Sequence, residues 1–200
     1  MTCGGLCDAL GLRKPVVLGS SFGGNVALTY AALFPDDPGA CCGGYYARMA
    51  SEVPPSRQMT VSVVPAASQL LADRGLADRI DVVAGNFFDA VPSADIYVMS
   101  AILHDWDDAA AARLLTNMAA AGQPGARLVT LELVVPEGDQ PHVAKMVDLN
   151  MLVMGTGKER TAKEFEALFA SAGFRLDRIV ETPTPFCFLE ATLTGAGPTD

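Results

Sequence analysis

The chain has 200 residues, half of them hydrophobic, and a formal net charge of -9, enough for one sizeable core or for one domain plus a fragment. That charge repels phosphate backbones and anionic lipid alike, which argues against nucleic acid and membrane surfaces and favours small-molecule partners. No apolar run approaches the roughly 20 residues that span a bilayer, and the opening MTCGGLCDALGLRKP lacks a basic start with an apolar block, so a cytoplasmic location is expected.

In chain order, the first strand is expected from Val16 to Gly19, followed by a glycine-rich turn and a helix over 24–34. In VVLGSSFGGNVAL, Gly19, Ser21 and Gly23 satisfy GxSxG, the elbow that presents a serine nucleophile, while a strand, glycines and a helix also describe a nucleotide-binding turn. Residues 36–57 hold two proline clusters and CCGGYY and are the best domain boundary, giving a fragment over 1–45 and a larger domain over 46–200. A strand over 59–64, a helix over 66–74 and strands over 80–84 and 96–99 follow, then a helix beginning at Trp106 whose positive end is crowded by Asp105, Asp107 and Asp108. Residues 127–135 read as a strand and 143–154 as a methionine-rich helix. Thr161 and Glu164 form a capping-box pattern, Phe165, Leu168, Phe169 and Ala172 repeat at helical spacing, and Gly173 supplies a left-handed stop. Two apolar runs, 174–180 and 186–193, separated by TPTP, suggest an antiparallel hairpin at a sheet edge. The alternation implies an α/β sheet with helices on both faces. The five cysteines, Cys3, Cys7, Cys41, Cys42 and Cys187, lack paired CxxC units, so reduced thiols and no metal site are expected.

The chemistry centres on AILHDWDD. His104, one of two histidines, falls at the carboxyl end of a predicted strand, where ligands sit in open α/β sheets. With an ordinary pKa near 6.5 it would be largely neutral at pH 7 and able to take a proton; the alternative is a helix-capping histidine. Glu132 lies inside the apolar strand RLVTLELVV, where an unpaired charge is costly, so it faces a partner or a cleft, unless it points outward at a strand end. Glu159, in GTGKERT, lies on a loop that could return to the same edge or stay solvated. His142, in EGDQPHVAK, reads as a surface turn residue.

From about Met59 to Ala191 the chain resembles the carboxy-terminal catalytic domain of S-adenosylmethionine-dependent O-methyltransferases of the caffeate, hydroxyindole and polyketide type. The resemblance rests on RIDVVAGNFFDAVPSADIYVMSAILHDWDD, RLVTLELVVPEGD, DLNMLVMGTGKERTAKEFEALFASAGF and CFLEA, in the family's order. It implies a Rossmann-like methyltransferase sheet, mostly parallel with a C-terminal antiparallel hairpin, helices on both faces, and incomplete at the N-terminus. It also implies S-adenosylmethionine as cofactor and a small-molecule hydroxyl, in particular a phenol, as acceptor. By the same resemblance His104 is the catalytic base, flanked by Glu132 and Glu159. Gly85, Asn86, Phe87 and Ser100 would bind the cofactor, and Met151 and Met154 would line the acceptor site. Asn86 stands where the family has an acid against the adenine, and its amide oxygen can still accept a hydrogen bond.

The resemblance has gaps. Val63 falls where an acid normally holds the ribose, CCGGYYARMA is a poor glycine turn, and the amino-terminal helical dimerisation domain has no counterpart. Residues 8–35 instead resemble the elbow region of an α/β-hydrolase, though no triad partners for Ser21 are evident. One reconciliation has VVLGSSFGG supplying the missing first strand and cofactor turn, paired beside the strand containing Val61. Two alternatives to methyl transfer stay open: a serine hydrolase acting through Ser21, and an inactive truncated or fused remnant. Apolar surface left bare by the missing domain would favour self-association into a homo-oligomer.

Overall fold

The computed structural model describes residues 15–19, 69, 72, 73 and 85–195, with backbone alone for 15–19 and 154. The expected helix over 24–34, the junction, the strands over 59–64 and 80–84, Ser21 and Val63 lie outside them. Residues 69, 72 and 73 are helical.

Six strands form one sheet among the described residues: β1 (Pro15–Gly19), β2 (Ile96–Ser100), β3 (Arg127–Val135), β4 (Arg160–Thr161), β5 (Phe174–Glu181) and β6 (Phe186–Leu193). Their order is β1-β2-β3-β6-β5, with the short β4 against the end of β3. β1, β2 and β3 run parallel, while β6 is antiparallel to β3 and β5 antiparallel to β6. The sheet is therefore mixed, parallel on one side and closed by the expected hairpin on the other. β1 pairs with β2 in the register Pro15↔Ile96 to Gly19↔Ser100, so the two carboxyl ends are level.

The interior strands read as near-continuous apolar runs, with side chains buried on both faces. Ile96, Tyr97 and Met99 of β2 and Leu128, Val129 and Leu133 of β3 are buried. Helix α1 (Asp108–Ala121) sends Ala111, Leu114, Leu115 and Met118 into this core. It starts at Asp108, two residues later than expected, because Trp106 is extended (φ -124°, ψ 147°). Asp107 is the N-cap, its carboxylate accepting from the Ala110 N–H and so satisfying an otherwise orphan donor. Helix α3 (Ala162–Ser171) has the full capping box between Thr161 and Glu164 and buries Phe165, Leu168 and Phe169. Gly173, at φ 82°, turns the chain into β5, a conformation that costs glycine little.

Helix α2 (Val143–Met154) is different: Val143, Met146, Leu149, Leu152 and Val153 are exposed, Leu152 at 76% and Val153 at 86%. His142 is its N-cap, the ring Nδ1 accepting from the Ala144 N–H. The turn reading of His142 is thus sharpened to a capping role, and the ring nitrogen that caps is not free for catalysis.

Candidate active site

The site is built where β2 ends. The Ala101 N–H continues the ladder to the Leu131 carbonyl at 3.0 Å. Ala101 itself adopts φ 52°, a left-handed conformation that costs an alanine about 1 kcal/mol. This reversal aims the next two amides at β3: Ile102 N–H and Leu103 N–H donate to Glu132 Oε1 at 3.1 and 2.9 Å. Thr130 Oγ1 donates to the same oxygen at 3.2 Å. The captured segment closes into a single 3-10 turn, Leu103–Asp105, which carries His104.

Glu132 is fully buried, and it acts on His104 differently from the expectation. Its hydrogen bonds go to the backbone of the turn, so it fixes the platform and reaches the imidazole through its field alone. Burial raises its carboxyl above the usual range, against the lowering effects of His104 and the two amides.

Glu159 makes the direct contact. Its Oε1 lies 2.9 Å from His104 Nδ1, and its own N–H donates to Asp148 Oδ1 on α2 at 2.9 Å. An ionised carboxylate only accepts, so Nδ1 carries the proton and Nε2 is the nitrogen left to exchange one. Asp105 Oδ1 stands 3.5 Å from that Nε2. Burial disfavours the imidazolium, yet the Glu159 hydrogen bond and the fields of Glu132, Glu159 and Asp105 outweigh it and raise His104 to about 9. The expectation of a largely neutral ring at pH 7 is therefore corrected. Glu132 and Glu159, brought in by the fold, join the adjacent Asp105 in favouring the charged ring.

Glu132 Oε2 and Glu159 Oε2 are buried and have no hydrogen-bond partner. Two acidic groups buried side by side with His104 make the surroundings favour a positive charge.

The other expected positions fall around this centre. Ser100 is buried at the end of β2, opposite Gly19. Asn86 is committed within its own turn, Oδ1 accepting from the Phe88 N–H at 3.1 Å and Nδ2 donating to Asp89 at 3.0 Å. One lone pair of its oxygen is left for a ligand. Gly85 precedes it, with open space where a Cβ would stand. Phe87 is in the core, its ring 6.1 Å from that of Trp106. Phe88 stands edge-on to Trp106 at 4.6 Å, so aromatic packing joins the Gly85 turn to the chain just beyond His104. Met151 is partly buried on α2, and the side chain of Met154 lies outside the described residues.

Three further residues belong to the site's frame. Asp148 anchors the Glu159 backbone. Gly157 lies against the His104 turn so closely that an added Cβ would sit 2.1 Å from the His104 carbonyl oxygen. Arg160, 0% exposed, donates to the carbonyls of Leu103 and Trp106 at 2.8 Å each and to Asp108 Oδ1 at 2.9 Å. The signal that could have found them is weak: Asp148 is the one acid in an apolar helix, and Gly157 and Arg160 flank Glu159 within GTGKERT.

Residues 37–175 match the O-methyltransferase domain family. A phenazine O-methyltransferase of Lysobacter antibioticus is 43% identical over 130 residues, which are 64% of this chain and 38% of that protein. The solved structure of a mitomycin 7-O-methyltransferase superposes with a TM-score of 0.74 at 31% identity, covering 92% of this chain and 50% of the other. An O-methyltransferase from neocarzinostatin biosynthesis, solved in complex with S-adenosylmethionine and 2-hydroxy-5-methyl naphthoic acid, gives 0.68 at 29% identity, with 89% and 48% covered. The chain thus spans half or less of these relatives' length. A family match over most of the sequence, on a sheet shared with solved methyltransferases, establishes that this chain belongs to the O-methyltransferase domain family.

Proposed function

We propose that the chain is the catalytic portion of an O-methyltransferase that passes a methyl group from S-adenosylmethionine to a hydroxyl, in particular a phenolic one, of a small molecule, with His104 as base. The observation that carries this reading is the His104–Glu159 pair, held at the carboxyl edge of the sheet with Nε2 left to exchange a proton. When bound, S-adenosylmethionine supplies a methyl group activated by its sulfonium charge. The buried acidic groups Glu132 and Glu159 suit a neighbour of that charge. Ser100 and the 85–87 turn are the residues that would hold the nucleoside. β1 supports the view that the VVLGSSFGG segment supplies the strand and turn the family places first, since it lies parallel beside β2 with its carboxyl end level with Ser100. The strand expected around Val61 lies outside the described residues.

In the reaction the Nε2 of a neutral His104 takes the hydroxyl proton as the acceptor oxygen attacks. An imidazole near 9 is well matched to a phenol near 10, so the transfer runs nearly level in energy. Glu159 keeps the proton on Nδ1 and stabilises the imidazolium that forms. Glu132 and the 3-10 turn hold the ring still, so the attack geometry is preset.

Calorimetric titration with S-adenosylmethionine and S-adenosylhomocysteine, followed by methyl-transfer assays on hydroxylated aromatic acids, tests the reading. The naphthoic acid held by the neocarzinostatin relative makes that class the first to try. Binding together with transfer that His104→Ala abolishes, at nearly unchanged cofactor affinity, is the expected result; no binding would end the proposal.

A further inference from the structure

We propose that Arg160 is a positioning residue for this site: its buried guanidinium ties the backbone on both sides of His104 to the 157–160 loop, and so sets the imidazole against Glu159. Its catalytic meaning rests on the methyl-transfer reading, while its geometric content does not.

Three observations carry it. The first is what the guanidinium holds. Nη1 donates to the carbonyl of Leu103, the residue before His104, and Nη2 to that of Trp106, the residue after Asp105. Two donors in a rigid planar fork thus bracket His104, which carries the reacting nitrogen, and Asp105, which faces it. The second is where it is anchored. Arg160 Nε donates to Asp108 at the start of α1, while Arg160 itself pairs in β4 with Val134 of β3. The fork is therefore braced from the sheet and from a helix. The third is the fit beside it. Gly157 leaves no room for a side chain over the His104 and Asp105 carbonyls, and Glu159, next in sequence to Arg160, reaches the ring. Loop and turn dock as one surface, with Arg160 as its fastening.

A cation this buried next to a histidine offers a second role, plain electrostatics, and the two have opposite signs. A positive charge near the ring disfavours imidazolium, so deleting it without movement would raise the histidine's titration midpoint. Letting the turn drift from Glu159 would lower it.

The test is an NMR titration of the full chain labelled in its two histidines, for the parent, R160K and R160M, with circular dichroism melts to check folding. R160K keeps the charge but lacks the planar guanidinium whose three nitrogens reach Leu103, Trp106 and Asp108 together, so it reads geometry. The proposal expects His104 to fall from about 9 by about one pH unit or more in both variants, a tenfold change in proton affinity per unit. His142, which caps α2, serves as the internal reference. Where the parent transfers methyl groups, kcat should fall at least tenfold with KM for the cofactor within twofold. An unchanged or raised His104 midpoint overturns the proposal, and so does loss of a cooperative melt in both variants, which would make Arg160 a folding residue. A parent that transfers no methyl group removes the proposed function but leaves the titration to decide this one.

Discussion

Replacing Glu159 with glutamine is the most informative single change to the site, because it keeps the shape of the side chain and removes its charge. Raising His104 from 6.5 to about 9 corresponds to roughly 3 kcal/mol of preference for the imidazolium. The ring is only 17% exposed, so solvent screens little of this. Below pH 6.5 the ring is charged in the folded and unfolded chain alike, and the full stabilisation is present. Between 6.5 and about 9 the unfolded chain loses its proton first and the advantage drains away; above 9 it is gone. Urea denaturation of parent and Glu159→Gln at pH 6 and pH 10 therefore reads the pair directly. Other groups titrate over that range, and taking the difference between the two proteins removes most of their contribution. The variant should be less stable by about 2–3 kcal/mol at pH 6 and by under about 1 kcal/mol at pH 10. A deficit that is the same at both pH values would refute the reasoning, since Glu159 would then be holding its loop by shape and hydrogen bonding and not by charge.

The rate of methyl transfer should follow the same proton. In the parent, kcat/KM should rise about tenfold per pH unit from pH 6 and flatten near pH 9, and a flat profile would remove His104 as the base. Gly157→Ala forces a Cβ to within 2.1 Å of the His104 carbonyl oxygen, so it should cost about 1–3 kcal/mol in a thermal melt and most of the activity. Thr161→Ala breaks the capping box of α3 and should cost about 1 kcal/mol, with kcat unchanged because the cap lies outside the catalytic pair. On the bare face of α2, Leu152→Glu with Val153→Glu should lower binding of an apolar dye and raise solubility at little cost in stability; equal dye binding by both proteins would place the dye's site elsewhere.

Much of the frame was legible in the sequence wherever local chemistry and tertiary structure agree. The capping box at Thr161 and Glu164, the stop at Gly173 and the hairpin of β5 and β6 all rest on short-range rules that the fold then satisfies. The meeting of His104 with Glu159 was legible only through family resemblance, because 55 residues separate them. What escaped were features created by distant partners. The 3-10 turn forms where Glu132 of β3 captures the amides of Ile102 and Leu103, and the extended Trp106 after it delays the start of α1. The burial of Arg160 depends on three groups spread over Leu103 to Asp108. The charge on His104 depends on Glu132 and Glu159, which periodicity cannot bring to the ring, as well as on the adjacent Asp105.

Ala101 is a point of trade between robustness and function. Its left-handed φ of 52° is strain of about 1 kcal/mol that every folded molecule carries, and the same reversal is what hands Ile102 and Leu103 to Glu132. Glycine or asparagine would adopt that conformation with less strain, so selection of this chain for thermal resistance alone should sample position 101 early. Glycine would also widen the backbone's choices at the root of the catalytic turn. A heat-hardened line carrying it would reveal, in its turnover, how far the stiffness of one alanine keeps the histidine in place.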